Sequence, residues 1–146
     1  MKINIKKTKE DVKMPIYGTK GAACFDLYSY ADVAVYPGYT IILPTGLIFE
    51  IPEGYELQIR PRSGVTINTP IRIANSPGTI DSDYRGEVGI IVSNFSNGDH
   101  RVPYLIKKGD RIAQGIITPV IRATFQEVEE LSQTERNNGG FGSTGK

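Results

Sequence analysis

The segment NSPGTIDSDYRGE, residues 75–87, places carboxylates, an amide and an aromatic ring in one short stretch. Pro77-Gly78 predicts a turn near its start. Around that turn, Asn75 and the hairpin backbone offer the hydrogen bonds that a nucleobase needs, and Tyr84 offers a flat wall. Asp81 offers a carboxylate which, beside a phosphate, can orient and deprotonate a water. The segment therefore predicts a pocket for a base and a phosphate group.

A structural interpretation of the same acidic residues stays open. In it, Arg85 pairs with Asp83 or Glu87 on a polar hairpin, and such a pair contributes little when it is exposed. Asp26, in GAACFDLYS, has a similar alternative as an aspartate that caps a turn. GDRIAQ, residues 109–114, has one as a turn that enters a strand.

PRSG, residues 61–64, follows an alternating strand and is suited to phosphate oxygens. Pro61 ends the strand, and Arg62 supplies a planar fork of donors. Ser63 adds a hydroxyl, while Gly64 lets backbone N–H groups approach a ligand. The fragment is weak by itself, because Pro-Arg-Ser-Gly also occurs in ordinary loops.

The last residues, GGFGSTGK, resemble a phosphate-binding P-loop from Gly140 onward, G-x-x-x-x-G-K. In a P-loop, the lysine is followed by a Ser or Thr and by a helix that faces the phosphates. Neither follows Lys146 in this sequence. From Ser132 on, Phe141 is the only large aromatic or aliphatic side chain, so this tail cannot order itself through burial. We expect a ligand or another chain to order it; the alternative is a flexible end without a role.

The rare residue types narrow the chemistry. His100 is the only histidine and lies in the loop-like NGDHR, which disfavours Ser-His-Asp and Cys-His catalysis. Cys24 is the only cysteine, so it forms no disulfide within the chain, and we expect a buried space-filler. A zinc site built from protein ligands is disfavoured as well. Scattered aspartates and phosphate-type loops favour Mg²⁺, which substrate phosphates largely hold.

Composition indicates a single globular domain with no general affinity for polyanions. The 146 residues carry 17 Lys+Arg against 16 Asp+Glu, a formal net charge of +1. This balance predicts neither nucleic acid nor membrane as a partner, so any anionic ligand must be bound by local groups. Residues 1–11 alternate isoleucine with lysine and lack the apolar stretch of a signal peptide. We therefore expect a cytoplasmic protein.

Hydrophobic alternation with a period of two predicts many short strands. Apolar runs fall at residues 40–43, 47–51, 88–92 and 112–121, and turn signals such as Pro37-Gly38 separate them. Residues 63–68 suit one helical turn, and 127–131 are ambiguous. The pattern predicts an all-β barrel or jelly-roll sandwich.

Five segments in this order resemble the motifs of the trimeric deoxyuridine triphosphatase (dUTPase) family. They are GAACFDLYS, PRSG, NSPGTIDSDYRGE, GDRIAQ and RNNGGFGSTG, and they extend from about Gly21 to Gly145. The resemblance implies a jelly-roll subunit, or distorted β-barrel, of residues 1–131. It also implies a glycine-rich C-terminal arm, residues 132–146, that reaches a neighbouring subunit in a homotrimer and completes a shared active site.

The resemblance further implies hydrolysis of dUTP to dUMP and diphosphate with Mg²⁺, which limits uracil in DNA and supplies dUMP for thymidylate synthesis. In this family pattern Asp81 activates the water that attacks the α-phosphorus, and Asp26 reaches Mg²⁺ through water. Tyr84 packs on the deoxyribose, and Phe141 caps the uracil. The implied uracil contacts are Asn75, Gly78, Thr79, Ile80 and Gly89. The implied phosphate contacts are Arg62, Ser63, Gly64, Gln114, Arg136, Gly142, Ser143 and Thr144.

Two departures and two rival functions accompany the resemblance. Asn137 replaces the usual glycine after the motif arginine, and Val65-Thr66 replaces Leu-Ala after PRSG. The related dCTP deaminases carry a catalytic glutamate where Ile91 stands here, and an apolar residue cannot transfer protons. A non-catalytic binding module is disfavoured because Asp81 and Tyr84 are intact.

Overall fold

The computed structural model describes residues 1–141 and 143, and the elements within them are twelve strands and one short helix. In chain order they are β1 (Asn4–Lys7), β2 (Ile16–Tyr17), β3 (Phe25–Tyr28), β4 (Val33–Val35), β5 (Thr40–Pro44), β6 (Leu47–Glu50), β7 (Tyr55–Pro61), α1 (Ser63–Asn68), β8 (Ile71–Ile73), β9 (Gly78–Ile80), β10 (Gly89–Asn94), β11 (Tyr104–Ile106) and β12 (Arg111–Pro119). The prediction of an all-β fold with a helical turn at 63–68 is confirmed.

The strands form antiparallel sheets whose spatial order differs from their chain order. The largest sheet has five strands in the order β2-β3-β12-β7-β9, and a second has three in the order β5-β10-β8. Two-stranded ladders, β1-β6 and β11-β4, extend them. Such crossovers between sheets are typical of jelly-roll and barrel folds. They bring segments from both halves of the chain into one sheet.

The core lies between these sheets and follows from the two-residue period of the strands. In β7, Leu57 and Ile59 are buried, whereas Gln58 and Arg60, which alternate with them, are half-buried on the other face. Packing is close: a Cβ at Gly115 of β12 would come 2.5 Å from the ring of Phe25. The polar face of the five-stranded sheet is thus left free for function.

The chain passes from the three-stranded sheet to the β1-β6 ladder at the two residues Thr45-Gly46, which we call the β5–β6 bend. Gly46 has φ +74°, a left-handed conformation that favours glycine. A Cβ there would come 2.4 Å from Cγ2 of Val12. The N-terminal segment therefore closes the space behind this bend.

Some sequence expectations differ from the structure. The strand expected over 112–121 ends at Pro119; Val120 still donates to the Gly54 carbonyl at 2.8 Å, and then the chain leaves the sheet. Residues 127–131 lie in neither helix nor strand. Cys24, expected to be buried, is half-buried. In the part of the chain that the structure describes, no helix is long and apolar enough to span a membrane.

Candidate active site

The turn, loop and strand ends around β9 form an open cleft of about 340 Å³. Its lining residues are Ile42, Asn75, Thr79, Ile80, Asp81, Tyr84, Glu87, Gly89 and Ile91. Six of them were predicted from the sequence, and the structure brings these six together. Asn75 precedes β9, and the other five lie in β9, in the loop that follows it and at the start of β10. All six therefore belong to one continuous segment, residues 75–89, although β9 and β10 lie in different sheets.

Asn75 lies across the start of β9. A Cβ at Gly78 would come 3.1 Å from Nδ2 and 3.3 Å from the backbone oxygen of Asn75, closer than most real Cβ contacts. Glycine at 78 thus lets the asparagine amide lie directly against the strand. The amide and the β9 backbone provide donors and acceptors on one side of the cleft.

Tyr84 is held at three points although its side chain is half exposed, at 45%. Its backbone N–H donates to the Asp81 carbonyl at 3.2 Å, and its hydroxyl donates to the Glu87 carbonyl at 3.1 Å. The ring lies on Gly86, where a Cβ would come 2.3 Å from the tyrosine Oη. The ring is therefore a fixed wall of the cleft.

Asp81 is exposed and borders a second open cleft of about 430 Å³ beside the first. That cleft also contains Glu53, Glu56 and Asp83, with Arg122 at its edge. Water reaches the Asp81 carboxylate from this side, which a general base needs. The alternative pairing of Arg85 with Asp83 or Glu87 is wrong, because Arg85 donates to the carbonyls of Ser82 and Tyr84.

A second polar cluster lies on the outer face of the five-stranded sheet. Asp26 of β3 accepts from Arg62 Nε at 2.9 Å and from Arg111 Nη1 at 3.3 Å. Gln114 of β12 is the cross-strand partner of Asp26 and donates to the Pro61 carbonyl at 2.8 Å. The turn-capping alternative for Asp26 is thus wrong, since the residue lies within a strand. Two arginines beside one carboxylate are suited to a phosphate chain.

Ser63 and Gly64 open the short helix α1 directly after Arg62 and are both exposed. The hydroxyl and the backbone of the first turn are therefore accessible next to the arginine. No residue of this second cluster (Asp26, Arg62, Arg111, Gln114) lines the Asp81 cleft. Within the described residues, no side-chain hydrogen bond or ion pair joins the cluster to that cleft.

The C-terminal segment lies outside the sheets and contains one ordered turn. Thr134 and Asn137 exchange reciprocal hydrogen bonds of 2.9 Å each, from the Thr134 N–H and the Asn137 N–H to the other residue's side-chain oxygen. Arg136 Nε donates to the Gly139 carbonyl at 2.8 Å. Phe141 is fully exposed, and Ser143 is exposed too. Gly142 and Thr144, also predicted contacts, lie outside the described residues.

Sequence reasoning missed several residues at these two places. Ile42 and Ile91 add apolar surface to the cleft, and Arg111 completes the pair of arginines on Asp26. Arg111 had a visible signal, since it lies within GDRIAQ and outward-facing arginines are potential phosphate ligands. No signal in the sequence indicated Ile42, because an isoleucine in a strand resembles any other apolar residue until the strand order is known. In the structure its side chain is 70% exposed.

Comparison with known proteins identifies the family of the chain. A dUTPase family model matches residues 10–145, which is most of the chain. The chain belongs to the dUTPase family. It is 54% identical to the deoxyuridine 5'-triphosphate nucleotidohydrolase of Nautilia profundicola over 146 residues, covering 100% of each. It is 48% identical to that of a Hydrogenobaculum species, covering 99% of each.

Solved dUTPase structures share the fold. The dUTPase of Staphylococcus bacteriophage 80alpha with dUPNHPP superposes with a TM-score of 0.88 at 30% identity, over 99% of both chains. A dUTPase from phage phi11 of S. aureus, in a structure reporting coordination of a structural Mg(II) ion, has a TM-score of 0.81 at 27% identity. That match covers 89% of this chain and 98% of the phage protein. The jelly-roll prediction is therefore confirmed as a dUTPase fold.

The donor set of the chain is suited to magnesium only in a substrate-bound form. Among the described residues, no three His, Cys, Asp or Glu side chains lie together as a metal cage. Asp26 is a single carboxylate beside two arginines, on the outer face where a phosphate chain would lie. One carboxylate fits an ion that substrate phosphates and waters mostly hold.

Proposed function

We propose that this dUTPase-family chain hydrolyses dUTP to dUMP and diphosphate by attack of water on the α-phosphorus, with Asp81 as general base. The observation that carries the proposal is the single cleft that holds Asn75, Asp81 and Tyr84 together. A base reader, a sugar wall and a water-activating carboxylate are the three groups that this reaction needs around one nucleotide.

Uracil binds against the β9 edge. The amide of Asn75 and the backbone groups of Gly78, Thr79 and Ile80 pair with its donors and acceptors, and Gly89 lets the backbone of β10 approach. Asn75 lies so close to Gly78 that even a Cβ there would be crowded. We take this segment to be too tight for the 5-methyl group of thymine. A site whose buried polar groups must be paired discriminates more sharply than an apolar pocket.

The deoxyribose packs on the Tyr84 ring, which its three contacts hold in place. A 2′-hydroxyl would collide with this ring. The ring also directs the sugar so that the α-phosphate reaches Asp81. Orientation of this kind accounts for much of the acceleration in phosphoryl chemistry, where the protein forms no covalent bond.

In the chemical step, Asp81 takes a proton from water as the water oxygen forms a bond to the α-phosphorus. The bond between that phosphorus and the bridging oxygen breaks, and diphosphate leaves with the bonding pair. Asp26 would contact a bound Mg²⁺ through water while the substrate phosphates hold the ion, and the ion would there neutralise the growing negative charge. No nucleophilic side chain is required.

The phosphates are bound by Arg62, Ser63, Gly64 and Gln114 of a neighbouring subunit. Support comes from their position, since this cluster is complete yet lines no part of the Asp81 cleft. In a homotrimer, the cleft of one subunit lies beside the cluster of the next, and the two bind one nucleotide together. Arg62 then releases Asp26 as a phosphate oxygen replaces the carboxylate.

Residues 132–146 form the arm that closes over the nucleotide, with Phe141 on the uracil. Arg136, Gly142, Ser143 and Thr144 contact the γ-phosphate. The exposure of Phe141 and Ser143 supports this role, because neither side chain is used in the fold. The substrate is a free nucleotide in the cytoplasm, and neither nucleic acid nor membrane is a partner.

The experiment is diphosphate release by the purified protein from dUTP, dTTP, dCTP and UTP, with Mg²⁺ and with the metal chelated. We expect hydrolysis of dUTP at least about a hundredfold above the others, because unpaired polar groups penalise the wrong bases. Chelation should suppress it. Comparable rates on all four nucleotides contradict the proposal, and ammonia release from dCTP indicates a deaminase instead, although Ile91 makes the cleft apolar there.

A further inference from the structure

The loop that carries the proposed base is fastened by three hydrogen bonds, two to the β5–β6 bend and one to Leu47, the first residue of β6. Glu87 accepts from the Gly46 N–H at 2.7 Å through Oε1. Val88 donates its N–H to the Leu47 carbonyl at 2.8 Å, and its own carbonyl accepts from Thr45 Oγ1 at 2.7 Å. The C-terminal end of this loop is therefore bound to a different part of the fold from its N-terminal end.

The bend itself has little freedom to move. Thr45 is 2% exposed, and its hydroxyl also accepts from the Leu47 N–H at 3.2 Å. Gly46 has φ +74° and packs so tightly on Val12 that a Cβ would clash. Thr8 donates to the Gly46 carbonyl at 2.9 Å from the same side. Residues that are hydrogen-bonded to this bend are therefore held in a fixed position.

Tyr84 is attached to it through one residue. Its hydroxyl donates to the carbonyl of Glu87, the residue whose side chain holds the Gly46 N–H. The place of the ring in the cleft therefore depends on the Glu87 backbone, and that backbone depends on the bend. A displacement of about 1 Å in a positioning group is enough to impair an active site severely.

We propose that Thr45 and Glu87 are positioning residues that hold the Tyr84 ring where it excludes ribose, so that the β5–β6 bend sets the selectivity for deoxyribose. The inference rests on the proposed function. Thr45 is buried and lines no part of the cleft, so it can act only through Val88 and Glu87. Loosening the bend lets the ring shift and admits a 2′-hydroxyl.

The test compares Thr45→Val with Thr45→Ser. Valine keeps the shape of threonine but removes the hydroxyl that serves Val88 and Leu47, whereas serine keeps it. The readout is kcat/KM for dUTP divided by kcat/KM for UTP. We expect this ratio to fall about fivefold in Thr45→Val, the scale of one hydrogen bond, and to stay at the wild-type value in Thr45→Ser.

A second pair of variants changes the exposed residue Glu87, so the test does not depend on a substitution in the core alone. Glu87→Ala removes the acceptor for the Gly46 N–H, and Glu87→Gln keeps an oxygen there. Because Glu87 is exposed, neither change threatens the core. The ratio of kcat/KM for dUTP to kcat/KM for UTP should fall in Glu87→Ala and stay near the wild-type value in Glu87→Gln. Combining Thr45→Val with Tyr84→Phe should lower it by less than the product of the separate effects, since both act on one network.

An unchanged ratio in both Thr45→Val and Glu87→Ala overturns the inference, and a lower melting temperature alone would then make the bend purely structural. Loss of selectivity in Glu87→Gln equal to that in Glu87→Ala overturns it as well, because the charge and not the hydrogen bond would matter. A wild-type protein that does not prefer dUTP to UTP contradicts the proposed function instead, which keeps the two failures distinct.

Discussion

Asp81 and Tyr84 stand three positions apart, and a single turn makes them neighbours in the cleft. The turn is closed by the bond from the Tyr84 N–H to the Asp81 carbonyl at 3.2 Å. Local bonding of this kind depends on adjacent residues only, so the sequence was enough to predict this half of the site. The proposed base and the proposed sugar wall are therefore held at a fixed spacing.

Asp81→Asn should reduce turnover by at least about a thousandfold, because an amide cannot take the proton from water. Affinity for a non-hydrolysable dUTP analogue should stay within about threefold of wild type, since the carboxylate contributes little to binding. Single-turnover diphosphate release and calorimetric titration measure the two quantities. A parallel loss of binding and turnover would assign Asp81 to substrate binding.

Asn137 has φ +39°, in the left-handed region that favours glycine and that asparagine tolerates. Its two bonds to Thr134 compensate for the residue type that departs from the family pattern. Asn137→Gly should raise the KM for dUTP about threefold, because a looser arm must be ordered on binding. Steady-state kinetics measure this change.

Asn138→Gly is the matched control, since it adds a glycine at the next position without removing either bond to Thr134. We expect its KM to stay near wild type. If both variants raise KM equally, backbone flexibility and not the hydrogen-bonded turn explains the effect.

Among the elements, three antiparallel strands assemble the second polar cluster, around Asp26, from distant parts of the chain. Gln114 of β12 pairs with Asp26 of β3 on one side and with Arg60 of β7 on the other. Partners in register share one face of the sheet, so the side chains meet outside the core. Arg62 follows at the end of β7 and completes the cluster.

The N-terminal segment is tied to the turn before β12 by a charged contact. Asp11 accepts from Lys108 Nζ at 2.5 Å and from the Tyr30 hydroxyl at 2.6 Å. The Lys108 and Tyr30 hydrogen bonds lower the pKa of Asp11 from 3.8 to about 2. Because the pKa is lowered in the folded state, this stabilisation is present above about pH 4 and is lost as the pH falls toward 2.

The free energy of unfolding should therefore differ between wild type and Asp11→Asn at pH 6, and the difference should shrink between pH 4 and pH 2. Urea unfolding at several pH values measures it. The difference will be small, since the pair is exposed. In a Lys108→Met background the pH dependence of the difference should weaken markedly; if it does not, Lys108 is not its main source.

In the molecule as a whole, the Asp81 cleft and the polar cluster around Asp26 lie apart within one chain. The segment after Pro119 also leaves large apolar side chains in solvent, with Ile121, Phe125 and Leu131 at 94%, 97% and 86% exposure. Exposed apolar side chains that lie along one segment of the chain favour a protein–protein interface. Both features are consistent with the trimer proposed above.

Mixed trimers test the shared site directly. Asp81→Asn and Arg62→Ala should each be inactive alone, but co-refolding them in equal amounts should restore about a quarter of the wild-type activity, because one cleft in four then meets an intact neighbour. Native mass analysis should show three chains in every preparation. Absence of restored activity in verified mixed trimers would place the whole site in one subunit.

Patterns along the sequence were enough to predict the fold class, the family and the residues that line the Asp81 cleft on its β9 side. Alternation along β3 and β7 needs only the two-residue period, and Asn75, Asp81 and Tyr84 need only a turn, so local rules are sufficient for both. Folding of the whole chain was needed to show that Arg111 joins Arg62 on Asp26, that Ile42 borders the cleft, and that Thr45 bonds to Val88 beside the anchor of Tyr84. The long-range hydrogen bonds among these contacts join residues 41 to 85 positions apart. The others depend on strand order, which arises from packing the whole core and not from any local pattern.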